Sequence, residues 1–382
     1  MRKTITAISS ALLVTAFIAT TALAQRERFI NVDGPDLRTK IDNAIRMARS
    51  SSTQTSFWVA YSFDVRPGVS VDVSYSDSHG TTYVSGTSIN INDDSGRMVE
   101  TRNLGVFLLH ESDGSPIIRV EVYNLDRQRE YSRYPVYWAG RAGNLESLTL
   151  LKGLALSGER RVVSKSATMA IGLHDDPQVG SLLKEIIRNS PDQEARKSAV
   201  FWLGMVPGEQ AYLTDLVRNE QEPTELRKQA AFAIGVGKDA SALSALQGHY
   251  STVSSREVKK QIIFASSINK NSDEAVDFLV KVASDEPDRE LKKQALFWLG
   301  QKAGKRALEV LGKTVESTDA ETEVQKHAVF AISQRPKDES IPLLIKIART
   351  HAKPEVRKQA IFWLGQTGDE RALAFFKEIL SK

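Results

Sequence analysis

The sequence predicts an α-solenoid of helical hairpins, about eight repeats with a period near 32, preceded by a small antiparallel β domain. Three observations predict it. First, a tetrapeptide recurs through the later part of the chain, as Phe201-Trp202-Leu203-Gly204, Phe297-Trp298-Leu299-Gly300 and Phe362-Trp363-Leu364-Gly365, with weaker copies at Tyr137–Gly140, Met169–Gly172, Phe232–Gly235, Phe264–Ala265 and Phe330–Ile332. Second, its tryptophan column falls at 138, 170, 202, 233, 265, 298, 331 and 363, steps of 31 to 33 residues. Third, apolar residues alternate with period two between Phe57 and Val122, which is the spacing of strands.

Taken in chain order, the elements follow from local chemistry. Residues 1–24 begin with Arg2 and Lys3, run uncharged from Thr4, and end Ala22-Leu23-Ala24, which is the pattern of a cleaved secretory signal peptide. An uncleaved anchor is the alternative. A periplasmic or secreted protein is expected, with no stable membrane insertion after cleavage; the absence of cysteine closes the lipoprotein route. Residues 25–131 form the helix and small antiparallel β domain. Asp36 to Arg49 places Leu37, Ile41, Ile45 and Ala48 on one helical face. Phe57 to Phe63 and Val69 to Tyr75 alternate as strands, and Ser112-Asp113-Gly114-Ser115 is a hairpin turn between Val106–Leu109 and Ile117–Val122.

Residues 132–382 form the solenoid. Each copy opens with an acidic turn, as at Glu355, and continues through Val356, Ala360 and Leu364 at helical spacing. Glycines 172, 204, 235, 300 and 365 are expected to cap these helices, and a second amphipathic helix follows each. A single hairpin cannot bury its apolar faces, so neighbours must stack.

At these residues the chain resembles the HEAT-repeat family, specifically the short bacterial HEAT-like repeats also found in phycobilisome lyase subunits, over about 134–382. The tetratricopeptide repeat has a period of about 34 and separates its Trp and Leu, whereas here they are adjacent. The resemblance implies a scaffold or adaptor that binds a protein or peptide partner through the solenoid's concave surface. A lyase or hydrolase with a site near Tyr131–Arg141 stands as an enzymatic alternative, the lyase by analogy with the phycobilisome subunits. HEAT-repeat hydroxylases bind iron through repeated His-Glu pairs; no solenoid copy here carries one, and His110-Glu111 sits on an expected strand.

Composition removes other classes. The chain has 382 residues, 41% hydrophobic and 26% charged, so wholesale disorder and a polytopic membrane protein are excluded. Without cysteine there are no disulfides, thiolate nucleophiles or zinc-thiolate sites. The net charge of +4 includes Arg2 and Lys3, so the remainder carries +2, too little to imply nucleic acid. The six histidines, at 79, 110, 174, 249, 327 and 351, show no metal-ligand spacing, and Asn90, Asn92, Asp94 and Gly96 fit a calcium loop poorly. No catalytic residue, cofactor or metal is expected.

The candidate partner-binding stripe is one column of the repeat, Lys165, Lys197, Lys228, Lys260, Lys293, Lys326 and Lys358. The column before it is nearly as basic: Arg196, Arg227, Lys259, Lys292 and Arg357. Two readings stand. The lysines pair with glutamates three residues earlier, from Glu194 to Glu355, as a solvated ladder, or they engage an acidic segment of a partner. A different reading is binding of an envelope polymer or an anionic surface, through the same stripe or through the β domain. The Phe column at 201, 232, 264, 297, 330 and 362 is expected to be mostly buried.

Overall fold

The computed structural model describes residues 29–51, 55–71, 76–77, 80–81, 89–91, 102–126, 131–237, 239–268, 272–302 and 304–381. The expected signal segment, His79 and most of the calcium-like loop lie outside them. The chain divides into two compact units, Met1–Val206 and Pro207–Lys382.

In the first unit the strands are β1 (Ile30–Asn31), β2 (Phe57–Ser62), β3 (Val69–Val71), β4 (Ser76–Asp77), β5 (Gly80–Thr81), β6 (Ile89–Ile91), β7 (Leu104–His110), β8 (Ile117–Asn124) and β9 (Val136–Arg141). Five of them form one sheet in the order β1-β9-β2-β7-β8, and β3/β6 and β4/β5 are separate antiparallel pairs. Helix α1 (Leu37–Ser50) carries Leu37, Ile41, Ala44 and Ala48 inward and is capped by Asp36, whose side chain accepts from the Thr39 N–H at 2.7 Å.

The sheet differs from the expected antiparallel one. β2/β7 and β7/β8 are antiparallel, but β9 runs parallel to both β1 and β2, so the sheet is mixed. Alternation marks strands without giving their direction. The same strand corrects the repeat count. Tyr137-Trp138-Ala139-Gly140, expected as the first helical copy, lies in β9, where Tyr137 and Trp138 pair with both neighbouring strands. Sequence similarity to the motif does not survive there as helix, because the strand's backbone donors and acceptors are taken by β1 and β2.

The helices that follow in the first unit are α2 (Asn144–Ser157), α3 (Arg161–Gly172), α4 (Val179–Asn189) and α5 (Gln193–Leu203). The second unit is all helical: α6 (Gln210–Arg218), α7 (Thr224–Val236), α8 (Ala240–Gly248), α9 (Arg256–Ile268), α10 (Ser272–Asp285), α11 (Arg289–Gln301), α12 (Lys305–Glu316), α13 (Thr322–Ser333), α14 (Lys337–Thr350), α15 (Pro354–Gln366) and α16 (Glu370–Leu380). The motif helices are α3, α5, α7, α9, α11, α13 and α15. All but α9 pack more extensively against the helix before them than against the helix after them, as α4 on α5, α10 on α11 and α14 on α15 show. The hairpin therefore closes through the turn preceding the motif, and the tetrapeptide ends a hairpin instead of starting one. Successive motif helices also pack on one another, α3 on α5, α7 on α9, α11 on α13 and α13 on α15.

The glycine column explains how closely. None of its members has a positive φ, and Gly235, Gly300 and Gly365 sit inside helices. Gly204 stands at the C-cap of α5, as expected of the column, whereas Gly235, Gly300 and Gly365 are not caps. A Cβ on Gly172 would lie 2.5 Å from the Trp202 ring, one on Gly235 2.7 Å from Ala265 Cα, and one on Gly300 2.6 Å from the Ala331 carbonyl oxygen. Real Cβ contacts do not come that near, so glycine is required for the approach of the next motif helix. The core that results is aliphatic, built from columns such as Ala195/Ala199/Leu203, Leu226/Ala230/Ile234 and Leu291/Ala295/Leu299.

Candidate functional site

The two basic columns have different surroundings. Each lysine of the first column sits on a motif helix, and all but Lys165 stand beside a glutamate of the preceding turn. Lys197 pairs with Glu194 at 2.5 Å, Lys228 with Glu225 at 2.9 Å, Lys260 with Glu257 at 3.0 Å, Lys293 with Glu290 at 3.2 Å and Lys326 with Glu323 at 2.9 Å. Lys165 reaches across to Glu194 at 4.0 Å. Lys358 lies at the equivalent place on α15 with Glu355 in its first turn. Hydrogen bonds from the lysines hold the carboxyls of Glu194, Glu290 and Glu323 below the usual carboxylate range. The lysine side chains remain partly open to solvent, so each pair contributes only a few tenths of a kcal/mol.

The second column turns inward to the hairpin. Arg196 Nε donates to the Ile187 carbonyl at 2.6 Å, Arg227 Nε to Val217 at 2.8 Å and Lys292 Nζ to Ser284 at 3.2 Å. Arg357 donates to the carbonyls of His351 and Ala352 at 2.6 and 3.0 Å. Lys259 lies 3.9 Å from Glu286 and over the Tyr250 ring. The carbonyls that accept from Arg196, Arg227, Lys292 and Arg357 lie at or just beyond the end of the preceding helix, where carbonyls lack helical partners, whereas Lys259 faces a carboxylate just after the helix that follows its own, α10. Two uncharged residues do the same work at the same position. Ser164 donates to Leu154 at 3.1 Å, and Gln325 donates to Val315 and Ser317 at 2.8 Å each. The column needs a donor of sufficient reach, which arginine and lysine supply, and the sequence shows it only as charge.

One turn beyond each lysine stands the Phe column, and it is not buried as expected. Phe201, Phe232, Phe264, Phe297 and Phe330 are half-buried, and Phe362 is 54% exposed. The core positions are taken by alanine, leucine and isoleucine, so the phenylalanines lie at the margin and cover one another. Within the second unit they form a run of rings with the tryptophans: Phe232–Phe264 at 6.2 Å, Phe264–Trp298 at 5.3 Å, Trp298–Phe297 at 4.8 Å, Phe297–Phe330 at 6.1 Å, Phe330–Trp363 at 5.1 Å and Trp363–Phe362 at 5.0 Å. Such contacts add to area burial and fix ring orientation. The structure thus sets beside the lysines of the second unit an aromatic ladder whose edges reach solvent.

In the first unit the sheet meets the helices through a buried polar network. Ser147 Oγ lies 3.0 Å from Tyr61 Oη and 2.8 Å from His174 Nε2, and His174 Nδ1 is 2.8 Å from the Ala170 carbonyl. A carbonyl only accepts, so Nδ1 carries the proton and Nε2 accepts from Ser147. Desolvation lowers the His174 pKa to about 4, and the ring stacks on Phe63 at 4.1 Å. This serine–histidine pair is sealed in the core, with Tyr61 and Ser147 at 0% exposure and His174 at 2%, so no substrate reaches it. The junction near Tyr131–Arg141 is filled by rings. Phe29, Phe107, Tyr123, Tyr131 and Trp138 pack together, and Trp58 Nε1 donates to the Tyr131 carbonyl at 2.9 Å.

Among the described residues no group of three or more His, Asp or Glu is placed to hold a metal, and no helix is long and apolar enough to cross a membrane.

Residues 308–382 match the family described as HEAT repeats. None of the curated proteins matches the chain. Solved structures with similar folds include human deoxyhypusine hydroxylase in complex with glycerol, 14% identical, covering 62% of this chain and 90% of that one with a TM-score of 0.30. Importin beta is 16% identical over 58% of this chain and 36% of its own, TM-score 0.34. The Mot1 N-terminal domain in complex with TBP is 15% identical over 88% of this chain and 46% of its own, TM-score 0.33. At such TM-scores none of these bears on partner or activity.

Proposed function

For a chain that is a HEAT-repeat protein, we propose the role of an exported, non-enzymatic scaffold that holds a protein partner on the face formed by its motif helices. One observation carries the reading: the aromatic ladder from Phe232 to Phe362, its edges open to solvent beside Lys228, Lys260, Lys293 and Lys326. Aromatic side chains are enriched at protein interfaces whereas lysine and glutamate are depleted there, so it is the rings that support the reading. The glutamate beside each lysine leaves the ladder near neutral overall, so an acidic segment would gain from it chiefly by displacing those intrahelical pairs. Export is proposed on the basic start, uncharged run and Ala22-Leu23-Ala24 of the sequence.

The test is chemical cross-linking of the chain in the periplasm, with captured species identified by mass spectrometry for the natural sequence and for the triple variant Lys228→Glu, Lys260→Glu, Lys293→Glu. A scaffold captures one protein reproducibly and loses it in the variant while its thermal unfolding is unchanged. Equal capture by the two chains removes the lysine face from the interface.

A further inference from the structure

Between the lysine and phenylalanine columns of the second unit runs a third. One residue after each lysine stand Gln229, Gln261, Gln294, His327 and Gln359, at steps of 32 or 33 residues. On its motif helix this position lies four residues after the glutamate of the first turn and three before the phenylalanine, so the three share one face. That face is the open one. Glu225, Glu257, Glu290 and Glu323 are exposed, Gln294 is exposed, and the other four members of the third column are half-buried like the rings beside them. The lysines have their glutamates and the rings have one another, but no member of the third column is hydrogen-bonded among the described residues.

The spacing of these donors selects what they fit. Neighbouring motif helices, brought together at Gly235 and Gly300, lie about 8–10 Å apart, so one donor recurs at about that interval. Three residues of polyproline II advance about 9 Å and complete one turn, and every third residue presents the same face. Three residues of a β-strand advance about 10 Å, but the strand alternates, so its next contact would point away. An α-helix covers the distance in about six residues, which turn it through about 600° and put a different face down. Polyproline II also has carbonyls without internal partners and stiff apolar rings, which suits amide donors set among aromatic side chains.

Charge narrows the occupant further. Each glutamate is more open than the lysine it pairs with, as with Glu225 at 65% against Lys228 at 28% and Glu290 at 47% against Lys293 at 23%. An incoming carboxylate therefore meets glutamate first, whereas a guanidinium adds a partner to a carboxylate that has acceptor sites to spare. We propose that the third column binds a basic, proline-rich segment of the partner in the polyproline II conformation, one turn per repeat, with each glutamine amide donating to a backbone carbonyl. This rests on the scaffold reading above and names the chemistry of its partner.

The experiment is fluorescence anisotropy with the full chain and three labelled twelve-residue peptides, built from four repeats of Pro-Pro-Arg, of Pro-Pro-Glu or of Gly-Ser-Arg. The first should bind saturably with a Kd on the order of 100 μM, and the other two at least fivefold more weakly. The double variant Gln261→Ala, Gln294→Ala should weaken the first about tenfold without lowering the melting temperature, since two hydrogen bonds are lost from an open face. Equal binding of the Gly-Ser-Arg peptide, which carries the same charge on a flexible chain, overturns the polyproline assignment. Equal or tighter binding of the Pro-Pro-Glu peptide overturns the assignment of charge, and unchanged affinity in the double variant overturns the column as the site. If none of the peptides binds while cross-linking still captures a protein through the lysine face, the inference fails and the scaffold reading stands.

Discussion

Replacing one glycine of the repeat by alanine should have opposite effects in neighbouring copies. Gly235, Gly300 and Gly365 each occupy the same place in the last turn of a motif helix. At that place alanine ordinarily gains up to about 1 kcal/mol, because glycine loses more backbone freedom on folding. At Gly235 the new methyl would lie 2.7 Å from both Ala265 Cα and Cβ and 2.8 Å from its carbonyl oxygen; at Gly300 it would lie 2.6 Å from the Ala331 carbonyl oxygen. Those are backbone atoms that no rotamer change can move, so the next helix must shift, and overpacking of this kind costs about 1–3 kcal/mol. At Gly365 the nearest atom is Phe376 Cζ at 4.0 Å, an ordinary contact. The net expectation is a loss of roughly 0.5–2 kcal/mol for Gly235→Ala and Gly300→Ala, and a gain of roughly 0.5–1 kcal/mol for Gly365→Ala. For a unit of this size each kcal/mol moves the melting temperature by about 2–4 °C, readable by circular dichroism. Hydrogen exchange in α9 and α13 would show whether the loss is local, which matters because repeat arrays need not unfold in one step. Equal stabilisation by all three substitutions would refute the close-approach role of the column.

Other predictions concern charge and protonation. His174 is neutral in the folded chain with a pKa near 4, against about 6.5 when unfolded, so the unfolded state takes up the extra proton between those values. Stability should be fully present above about pH 6.5 and fall as pH drops toward 4, by about 3 kcal/mol in all, seen as a melting temperature that declines across that window; a flat profile would place the ring in a different environment. Arg227→Ala strips a buried donor from the Val217 carbonyl and should cost about 1.5–3 kcal/mol, whereas Lys228→Ala loses one exposed ion pair and should cost under about 0.5 kcal/mol. Comparable losses from the two adjacent substitutions in chemical denaturation would contradict the division between the columns.

Much of the helical part is legible in the sequence because a local period of 3.6 is nested in a period near 32, and both depend on neighbours close in the chain. What is not legible depends on distant partners. Glycine at a helix end satisfies two explanations, a cap or a close approach, and only the position of Ala265 or Ala331 decides between them. The basic second column carries charge in the sequence, yet Ser164 and Gln325 show that the requirement is a donor near the end of the preceding helix. Tyr137–Gly140 has the motif's letters, but its strand pairs with residues some 80 and 107 positions earlier, as the registers Trp58 with Val136 and Ile30 with Tyr137 show.

Those long registers have a kinetic consequence. In the second unit nearly every contact joins a helix to the next one or two in the chain, so loops to be closed are short and structure can grow from any hairpin. The five-stranded sheet is the reverse. β2 lacks its β9 neighbour until Arg141 has been made, and the β1–β9 pairing joins Ile30 to Tyr137 across the rest of the sheet. Closing such loops costs entropy before any contact returns it. The segment synthesised first should therefore complete its fold last, and refolding followed at Trp58 and Trp138 should lag behind refolding followed at Trp298 and Trp363.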